Sequence, residues 1–343
     1  MTRRAGRALS QATALLALVA VTTSLSAPLS AQGRTRAVIV VGLGGAEDYR
    51  ASFHAEAAQI HQALIERHGL AREDVTYLGE KVERDPQTIS DVSTRANILE
   101  VLGEIAQQSA PMDRLLVVLI GHGTSSRGEA QFNLTGPDLT PSDFAMGLMA
   151  FPTQTLALVH TGSASGAFIE PLSGPNRILV AATRSDMERN ATEFGQFFAR
   201  AIAGEEADLD KDERVSLLEA FTYARQEVAR HYETENEMLT EHAVLDDNGD
   251  GEGSPEAGLD GPDGPLAATF QLGGVSGTAA QVPDDPALAR LYEERSEIQG
   301  RIDQLRAVKD SMTEDAYLDA LEPLLVELAL KSREIRALEG SSR

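Results

Sequence analysis

Residues 114–123 read RLLVVLIGHG, a run of six apolar side chains that ends in Gly-His-Gly. A short run of aliphatic residues bounded by glycine is typical of a strand buried on both faces of a sheet. Similar runs occur at Ala37–Val41, Asp74–Leu78, Leu156–Val159 and Ile178–Ala182. Segments with helical periodicity lie between or after them, at Ala51–Arg67, Thr94–Gln108, Pro141–Ala150, Phe194–Ala203 and Leu217–His231. This alternation predicts an α/β fold in which helices cover both faces of an open, mostly parallel sheet.

The C-terminal part of the chain differs in composition from the alternating region at 36–245. Residues 246–285 are rich in Asp, Gly and Pro, which predicts an acidic linker. Within it, Ala267–Leu272 is a candidate for one more edge strand. Leucine and isoleucine then recur with heptad-like spacing across 286–338. We interpret this stretch as an antiparallel helical hairpin, a short coiled coil that packs on the domain or on a second copy of the chain.

Residues 1–31 have the layout of a secretory signal peptide. Arg3, Arg4 and Arg7 form a basic start, Ala12–Val21 is a short apolar run, and Ser30-Ala31 offers a small-residue cleavage site. Because the apolar run is too short to span a bilayer, cleavage is favoured over the alternative of an N-terminal membrane anchor. We therefore expect a mature protein that is secreted or periplasmic and has no membrane span.

The chain carries a net charge of −23 and contains no cysteine. An acidic surface argues against binding of nucleic acid and against docking on anionic lipid, and it suits divalent cations or basic partners. A chain without cysteine has no disulfide, no zinc–thiolate site and no thiolate nucleophile. Cysteine-peptidase activity is therefore excluded.

Three of the predicted strands end in glycine-rich turns that carry polar residues. Gly42–Gly45 leads to Asp48-Tyr49-Arg50, Gly121-His122-Gly123 follows the central run, and Thr161–Gly166 contains Ser163. Ligands of an open parallel sheet gather at the carboxyl ends of its strands. Glycine lets backbones approach closely and leaves N–H groups free to face an oxyanion. The three turns are therefore the candidate functional site.

These turns resemble the motifs of the legumain-like and caspase-like cysteine peptidases. In that family one hydrophobic strand ends in His-Gly and a later one ends in Cys-x-Ser-Gly. Gly121-His122-Gly123 is similar to the first motif, and Ser163-Ala164-Ser165-Gly166 is similar to the second, with serine in place of cysteine. Asp48-Tyr49-Arg50 resembles the Asn-Tyr-Arg of legumain. The resemblance covers roughly residues 36–235 and implies a caspase-like fold.

The resemblance implies a role for each matched residue. His122 stands at the catalytic histidine, Ser163 at the nucleophile, and Asp48 at the asparagine that orients the histidine. Arg50 stands at a substrate-pocket arginine, and the N–H of Gly123 would stabilise an oxyanion. Each residue also has a simpler local interpretation. These are a turn cap for His122, a small turn residue for Ser163, a helix cap for Asp48 and a solvated charge for Arg50.

The serine at position 163 leaves three functions open. A hydroxyl cannot form the thiolate–imidazolium pair of a cysteine peptidase. The first interpretation is therefore a pseudopeptidase that binds a peptide or protein segment in its cleft, with Arg50 pairing a polar or acidic side chain of that ligand. Alternatively it is a serine-type hydrolase in which Ser163 attacks, His122 acts as base and Asp48 orients His122. The third interpretation is a calcium-stabilised scaffold that works, or self-associates, through 286–338.

A calcium-binding loop of the EF-hand type is predicted at 208–219, between two predicted helices. The ligands would be the side chains of Asp208, Asp210, Asp212, Ser216 and Glu219 and the carbonyl of Arg214. Glu213 stands where EF-hands have glycine, which should strain the turn and weaken binding. The alternative is an acidic, solvated loop.

A second and weaker candidate calcium site begins at Asp246. Asp246, Asn248 and Asp250 occupy the first three ligand positions of a similar loop, but Ala257 replaces the closing glutamate. The stretch is equally well explained as a plain acidic linker.

Overall fold

The structure is a computed structural model that describes residues 33–126, 129–273 and 312–341, together with residues 290, 291, 294, 295, 298, 301, 302 and 305. These residues belong to one compact unit, Gln32–Arg343. The predicted signal peptide at 1–31 lies outside the described residues. Among the described residues, no helix is both long and apolar enough to cross a membrane.

The strands with defined bounds are β1 (Thr35–Val41), β2 (Val75–Gly79), β3 (Asp91–Val92), β4 (Arg114–Ile120), β5 (Gly123–Ser126), β6 (Glu129–Phe132), β7 (Thr155–His160), β8 (Arg177–Ala181) and β9 (Val244–Asp246). Seven of them form one sheet in the order β3-β2-β1-β4-β7-β8-β9, and β5 and β6 form a separate antiparallel pair. Only β9 is antiparallel to its neighbour in the large sheet as described. The predicted α/β architecture with a mostly parallel sheet is confirmed.

The α-helices with defined bounds are α1 (Glu47–Glu66), α2 (Arg95–Gln108), α3 (Pro141–Leu148), α4 (Ile169–Leu172), α5 (Phe194–Ala203), α6 (Leu217–Glu235), α7 (Pro265–Thr269) and α8 (Glu314–Ser341). One apolar core joins one face of the sheet to α1, α5 and α6, and a second core joins the other face to α2, α3 and α4. Neighbouring residues of β1 point to opposite cores, Ile39 to the first and Val40 to the second. A strand buried on both faces needs apolar residues at every position, which explains the continuous runs.

Two elements, β4 and α5, have the bounds predicted from the sequence, and the other predicted strands and helices differ at one end or both. Helix α1 begins at Glu47 rather than at Ala51. The acidic pair Glu47 and Asp48 occupies its first turn, where carboxylates interact favourably with the helix dipole. Asp48 and Arg50 therefore lie on a helix and not in the preceding turn.

The stretch predicted as an acidic linker is folded from Asp246 to Leu272. Strand β9 completes the sheet next to β8, and α7 follows it. The predicted edge strand at Ala267–Leu272 is wrong. Helix α7 covers the first half of this stretch, and the second half pairs only through an isolated bridge between Gln271 and Ser216 among the described residues. Phe270 and Leu272 are both 1% exposed and belong to the first core.

Two buried aspartates account for this difference from the prediction. Asp247 accepts hydrogen bonds from the backbone N–H groups of Gly264, at 2.8 Å, and Ala267, at 2.7 Å. Asp263 accepts from the N–H groups of Asp247, at 3.0 Å, and Asn248, at 3.3 Å. Carboxylates that satisfy backbone donors can fold a glycine-rich segment that lacks apolar periodicity.

Helix α8 forms the C-terminal helix of the described chain, where the sequence predicts the second half of a helical hairpin. The described residues at 290–305 are also helical, and Ile298 and Ile302 form an apolar cluster with Leu324. Two ion pairs join the same segments, Glu294–Lys331 at 2.8 Å and Arg301–Glu327 at 3.1 Å. The contacts run in antiparallel order, as the predicted hairpin requires. Its turn lies outside the described residues, so the complete hairpin stays a prediction.

Candidate functional site

The three glycine-rich turns lie side by side, because β1, β4 and β7 are parallel neighbours. The N–H of Gly42 donates to the Ile120 carbonyl at 2.8 Å, and the N–H of Thr161 donates to the Leu119 carbonyl at 2.9 Å. These bonds continue the strand pairing into the turns. The candidate residues of the second and third turns are thereby brought next to each other.

Two glycines are required by the close approach of these turns. A side-chain carbon at Gly123 would overlap the carbonyl oxygen of Ser163, and one at Gly162 would overlap the carbonyl oxygen of Gly121. A backbone carbonyl cannot rotate away as a flexible side chain can, so any larger residue forces the turns apart. Packing of one turn on the next thus explains both glycines without reference to catalysis.

Ser163 is buried, with 4% of its surface exposed. Its Oγ donates a hydrogen bond to the carbonyl of Gly123 at 2.9 Å and accepts one from the N–H of Gly123 at 3.3 Å. The next residue, Ala164, has φ of 56°, a left-handed conformation that is uncommon for a residue with a side chain. The hydroxyl of Ser163 is therefore bound to the backbone of the neighbouring turn.

The imidazole of His122 packs edge-on against two rings of α1. The ring centroids lie 4.5 Å from that of Tyr49 and 5.0 Å from that of Phe53. Burial lowers the pKa of His122, and the backbone of Gly44 offsets part of this effect. Since the ordinary pKa of histidine is about 6.5, the ring is neutral at neutral pH.

Asp48 lies in the exposed first turn of α1. Its carboxylate forms no hydrogen bond or ion pair with another described residue. A carboxylate that orients a catalytic histidine must accept a hydrogen bond from the ring. Asp48 therefore does not hold His122 in this arrangement.

Arg50 forms an ion pair that secures the first glycine-rich turn. Its Nε donates to Oε1 of Glu80 at 2.9 Å, and Oε2 of the same carboxylate accepts the N–H of Gly44 at 3.1 Å. Glu47 lies 3.7 Å from the guanidinium as well. The positive charge of Arg50 is therefore already balanced by two carboxylates.

A cavity of about 300 Å³ opens beside His122. The rings of Tyr49 and Phe53 form an aromatic wall of this cavity, and the acidic side chains of Glu56 and Glu193 also line the cavity. The hydroxyl of Ser52 donates to Oε1 of Glu56 at 3.0 Å. Burial raises the pKa of Glu56 to about 7, and the nearby charge of Glu193 adds to this effect.

His122, Ser163 and Asp48 thus approach one edge of the sheet, and their described contacts contain no Ser–His–Asp hydrogen-bonded triad. No protein-family model and no curated protein match this chain. A neutral imidazole, two aromatic rings and two carboxylates around a cavity suit the binding of a side chain.

Replacing Glu56 by glutamine is expected to stabilise the protein at neutral and alkaline pH. The pKa of Glu56 is about 7 in the folded chain and about 4.3 in an unfolded one, so folding favours the protonated form. The unmodified protein therefore loses stability as pH rises from about 4.3 to about 7, by on the order of 3–4 kcal/mol for this group. The Glu56→Gln variant should not show this pH-dependent loss of stability. Urea unfolding of both proteins at a series of pH values measures the difference. Identical pH profiles for both proteins would contradict the argument.

The predicted calcium loop at 208–219 brings three carboxylates together. Ligand oxygens of Asp208, Asp210 and Asp212 all lie within 4.8 Å of one another. Burial and the charge of Asp210 raise the pKa of Asp212 to about 7. Lys211 and Glu213 have φ of 62° and 68°, so the predicted strain at Glu213 is present. A cation would relieve the repulsion among the three carboxylates.

Glu219 ties the two ends of this loop together. Its Oε1 accepts from the N–H groups of Leu209, at 2.9 Å, and Asp210, at 3.2 Å. Its Oε2 accepts from the N–H and the hydroxyl of Ser216, both at 2.8 Å, and completes a capping box for α6. To bind calcium, the side chains of Glu219 and Ser216 would have to give up some of these hydrogen bonds and coordinate the ion instead. The role of the Arg214 carbonyl as a calcium ligand stays a prediction.

In the second candidate loop, Asn248 and Asp250 hydrogen-bond to each other. Asn248 donates its amide to Asp250 at 3.0 Å, and Asp250 donates its N–H to Asn248 at 2.8 Å. Asp246 accepts the N–H of Gly249 at 3.1 Å, and its other oxygen is buried without a described hydrogen-bond partner. An amide group that donates to the neighbouring carboxylate favours a self-contained turn over a metal site.

Two buried residues position the site and were missed by sequence reasoning. His160 lies between the rings of Phe132 and Phe168, and its Nδ1 accepts the N–H of Gly162 at 3.1 Å. Burial lowers its pKa to about 3, so a neutral ring supports the turn before Ser163. The only signal in the sequence is a histidine at the end of an apolar run.

Glu241 is the other positioning residue. Its carboxylate accepts from the N–H groups of Glu193, at 2.7 Å, and Phe194, at 3.2 Å, at the start of α5. The hydroxyl of Tyr232 donates to it at 3.2 Å. Burial nevertheless raises the pKa of Glu241 to about 7. It fixes the helix end that carries Glu193 into the cavity, and its isolated place in the sequence gives no signal.

Proposed function

We propose that the chain is a secreted or periplasmic, caspase-like pseudopeptidase that binds a peptide segment in the cleft beside His122. The observation that carries the proposal is the hydroxyl of Ser163, which is hydrogen-bonded to both backbone polar groups of Gly123. A serine nucleophile instead needs a histidine base in hydrogen-bond contact and a third group that orients the base. Supporting features are the exposed position of Asp48 and the acidic charge, which argues against a nucleic-acid ligand.

Calcium is proposed as a structural ion for the loop at 208–219. The three converging carboxylates and the raised pKa of Asp212 support this role, and the EF-hand spacing suits calcium, which takes six to eight oxygen ligands. The predicted hairpin at 286–338 is proposed as the surface for self-association. Both features would stabilise the protein around the cleft and would take no part in peptide binding.

The proposal predicts binding without turnover. A fluorophosphonate probe should leave Ser163 unlabelled, because no described contact activates its hydroxyl. A mixed fluorescent hexapeptide library should bind and should be recovered uncleaved. His122→Ala should weaken binding at least about tenfold, because a ring that lines the cavity is removed.

The matched control for this experiment is His231→Ala, a histidine of α6 that packs on Phe197. This variant should bind the library as the unmodified protein does. Labelling of Ser163 that is lost in His122→Ala would overturn the proposal in favour of the serine-type hydrolase. Absence of any peptide binding would overturn it as well.

A further inference from the structure

The cavity beside His122 is lined by two acidic side chains and, among the described residues, by no lysine or arginine. Glu56 and Glu193 both line it, and neither forms an ion pair with a basic side chain in the part of the chain that the structure describes. Among the described residues, the side chains that donate to these two carboxylates are neutral, Ser52 to Glu56 and Gln196 to Glu193. A partly buried carboxylate without a counter-charge is costly, and a cation that enters the cavity would remove that cost.

The aromatic part of the wall favours the same kind of ligand. The rings of Tyr49 and Phe53 stack with centroids 5.8 Å apart and an interplanar angle of 28°. His122 adds a third ring, and its pKa is lowered by burial, so it brings no competing positive charge. Cations bind to aromatic faces, and the flat guanidinium of arginine stacks on them with little loss of hydration.

An acidic ligand is disfavoured by the position of Arg50. The family resemblance assigns this arginine to the recognition of a polar or acidic side chain. In the structure, Arg50 is paired with Glu80 at 2.9 Å and lies 3.7 Å from Glu47. Its charge is thus used to hold the first turn, and Arg50 is absent from the residues that line the cavity.

We propose that the cavity beside His122 binds one basic side chain, an arginine or lysine of a peptide, with Glu56 as its charge partner and Tyr49 and Phe53 as its aromatic walls. The volume of about 300 Å³ is at the lower end for ligand sites and suits one long side chain. The charge of −23 would attract basic peptides to the protein. This inference rests on the proposed peptide-binding function and names its ligand class.

The test uses the full chain and three labelled pentapeptides that differ only at their central residue, which is Arg, Gln or Asp. The Arg peptide should bind at least about tenfold more tightly than the Gln peptide, and the Asp peptide should bind most weakly. Glu56→Gln should abolish the preference for Arg over Gln while the Gln peptide keeps its affinity. Glu66→Gln is the matched control, since Glu66 lies on the exposed end of the same helix. It should behave as the unmodified protein.

The outcomes separate this inference from the function on which it rests. Equal binding of all three peptides, or tighter binding of the Asp peptide, would overturn the basic-ligand inference and leave the peptide-binding cleft in place. Failure of every peptide to bind would overturn both. A preference for Arg that survives in Glu56→Gln and in Glu193→Gln would place the basic site elsewhere on this acidic surface and would also overturn the inference.

Discussion

Replacement of Gly162 by alanine is expected to lower the free energy of unfolding by about 2–4 kcal/mol. The added carbon would overlap the backbone carbonyl oxygen of Gly121. A clash with backbone is relieved only by moving one turn away from the other, and overpacking of this kind typically costs about 1–3 kcal/mol or more. The shift would also disturb the contact between Ser163 and Gly123, so peptide binding should fall together with stability.

Gly103→Ala is the matched control for this prediction. Gly103 lies inside α2, and an added carbon there would meet no heavy atom within 4 Å. Alanine is favoured over glycine in a helix interior, so this variant should gain about 0.5–1 kcal/mol. Urea unfolding of both variants measures the difference. A Gly162→Ala variant as stable as the unmodified protein would show that the turns are not packed as described.

Calcium at about one hundred times its dissociation constant is expected to raise the Tm by about 5–10 °C. A ligand that binds only the folded state at that concentration contributes about 2.7 kcal/mol, and a domain of this size gains roughly 2–4 °C per kcal/mol. The ion would replace the mutual repulsion of Asp208, Asp210 and Asp212 with attraction. Magnesium should give a smaller rise, because it demands a stricter octahedral geometry.

Asp210→Asn is the variant that tests the metal loop most cleanly. Asp210 is exposed, so the change leaves the packing intact and removes one charged ligand. It should reduce the calcium-induced rise in Tm by more than half. Glu205→Gln, an exposed change in the segment just before the loop, should keep the full rise. Equal Tm values in calcium and in a chelator would refute the metal loop.

The sheet could be predicted from the sequence because its central strands are buried on both faces. A run such as the one in β4 has no other common explanation when helical segments alternate with it. The fold of 246–272 could not be predicted in this way. It depends on backbone donors that converge on Asp247 and Asp263, and such long-range hydrogen bonds leave no periodic pattern.

The candidate site was predictable in its location and less so in its contacts. Parallel neighbouring strands bring the turns of His122 and Ser163 together, whatever the side chains do. Whether Ser163 bonds to an imidazole or to Gly123 is decided by differences of about an ångström, which no spacing rule encodes. Glu56 could have been noticed as a carboxylate three residues from Phe53 on the buried side of α1.

The two outermost strands of the large sheet are unusually brief. Strand β3 has two residues and β9 has three, whereas β1 and β4 at the centre have seven each. An unpaired border of a sheet is a template on which another chain can form hydrogen bonds, and its reach grows with its length. Because the borders of this sheet offer so few free donors and acceptors, they are poor templates for strand-to-strand association.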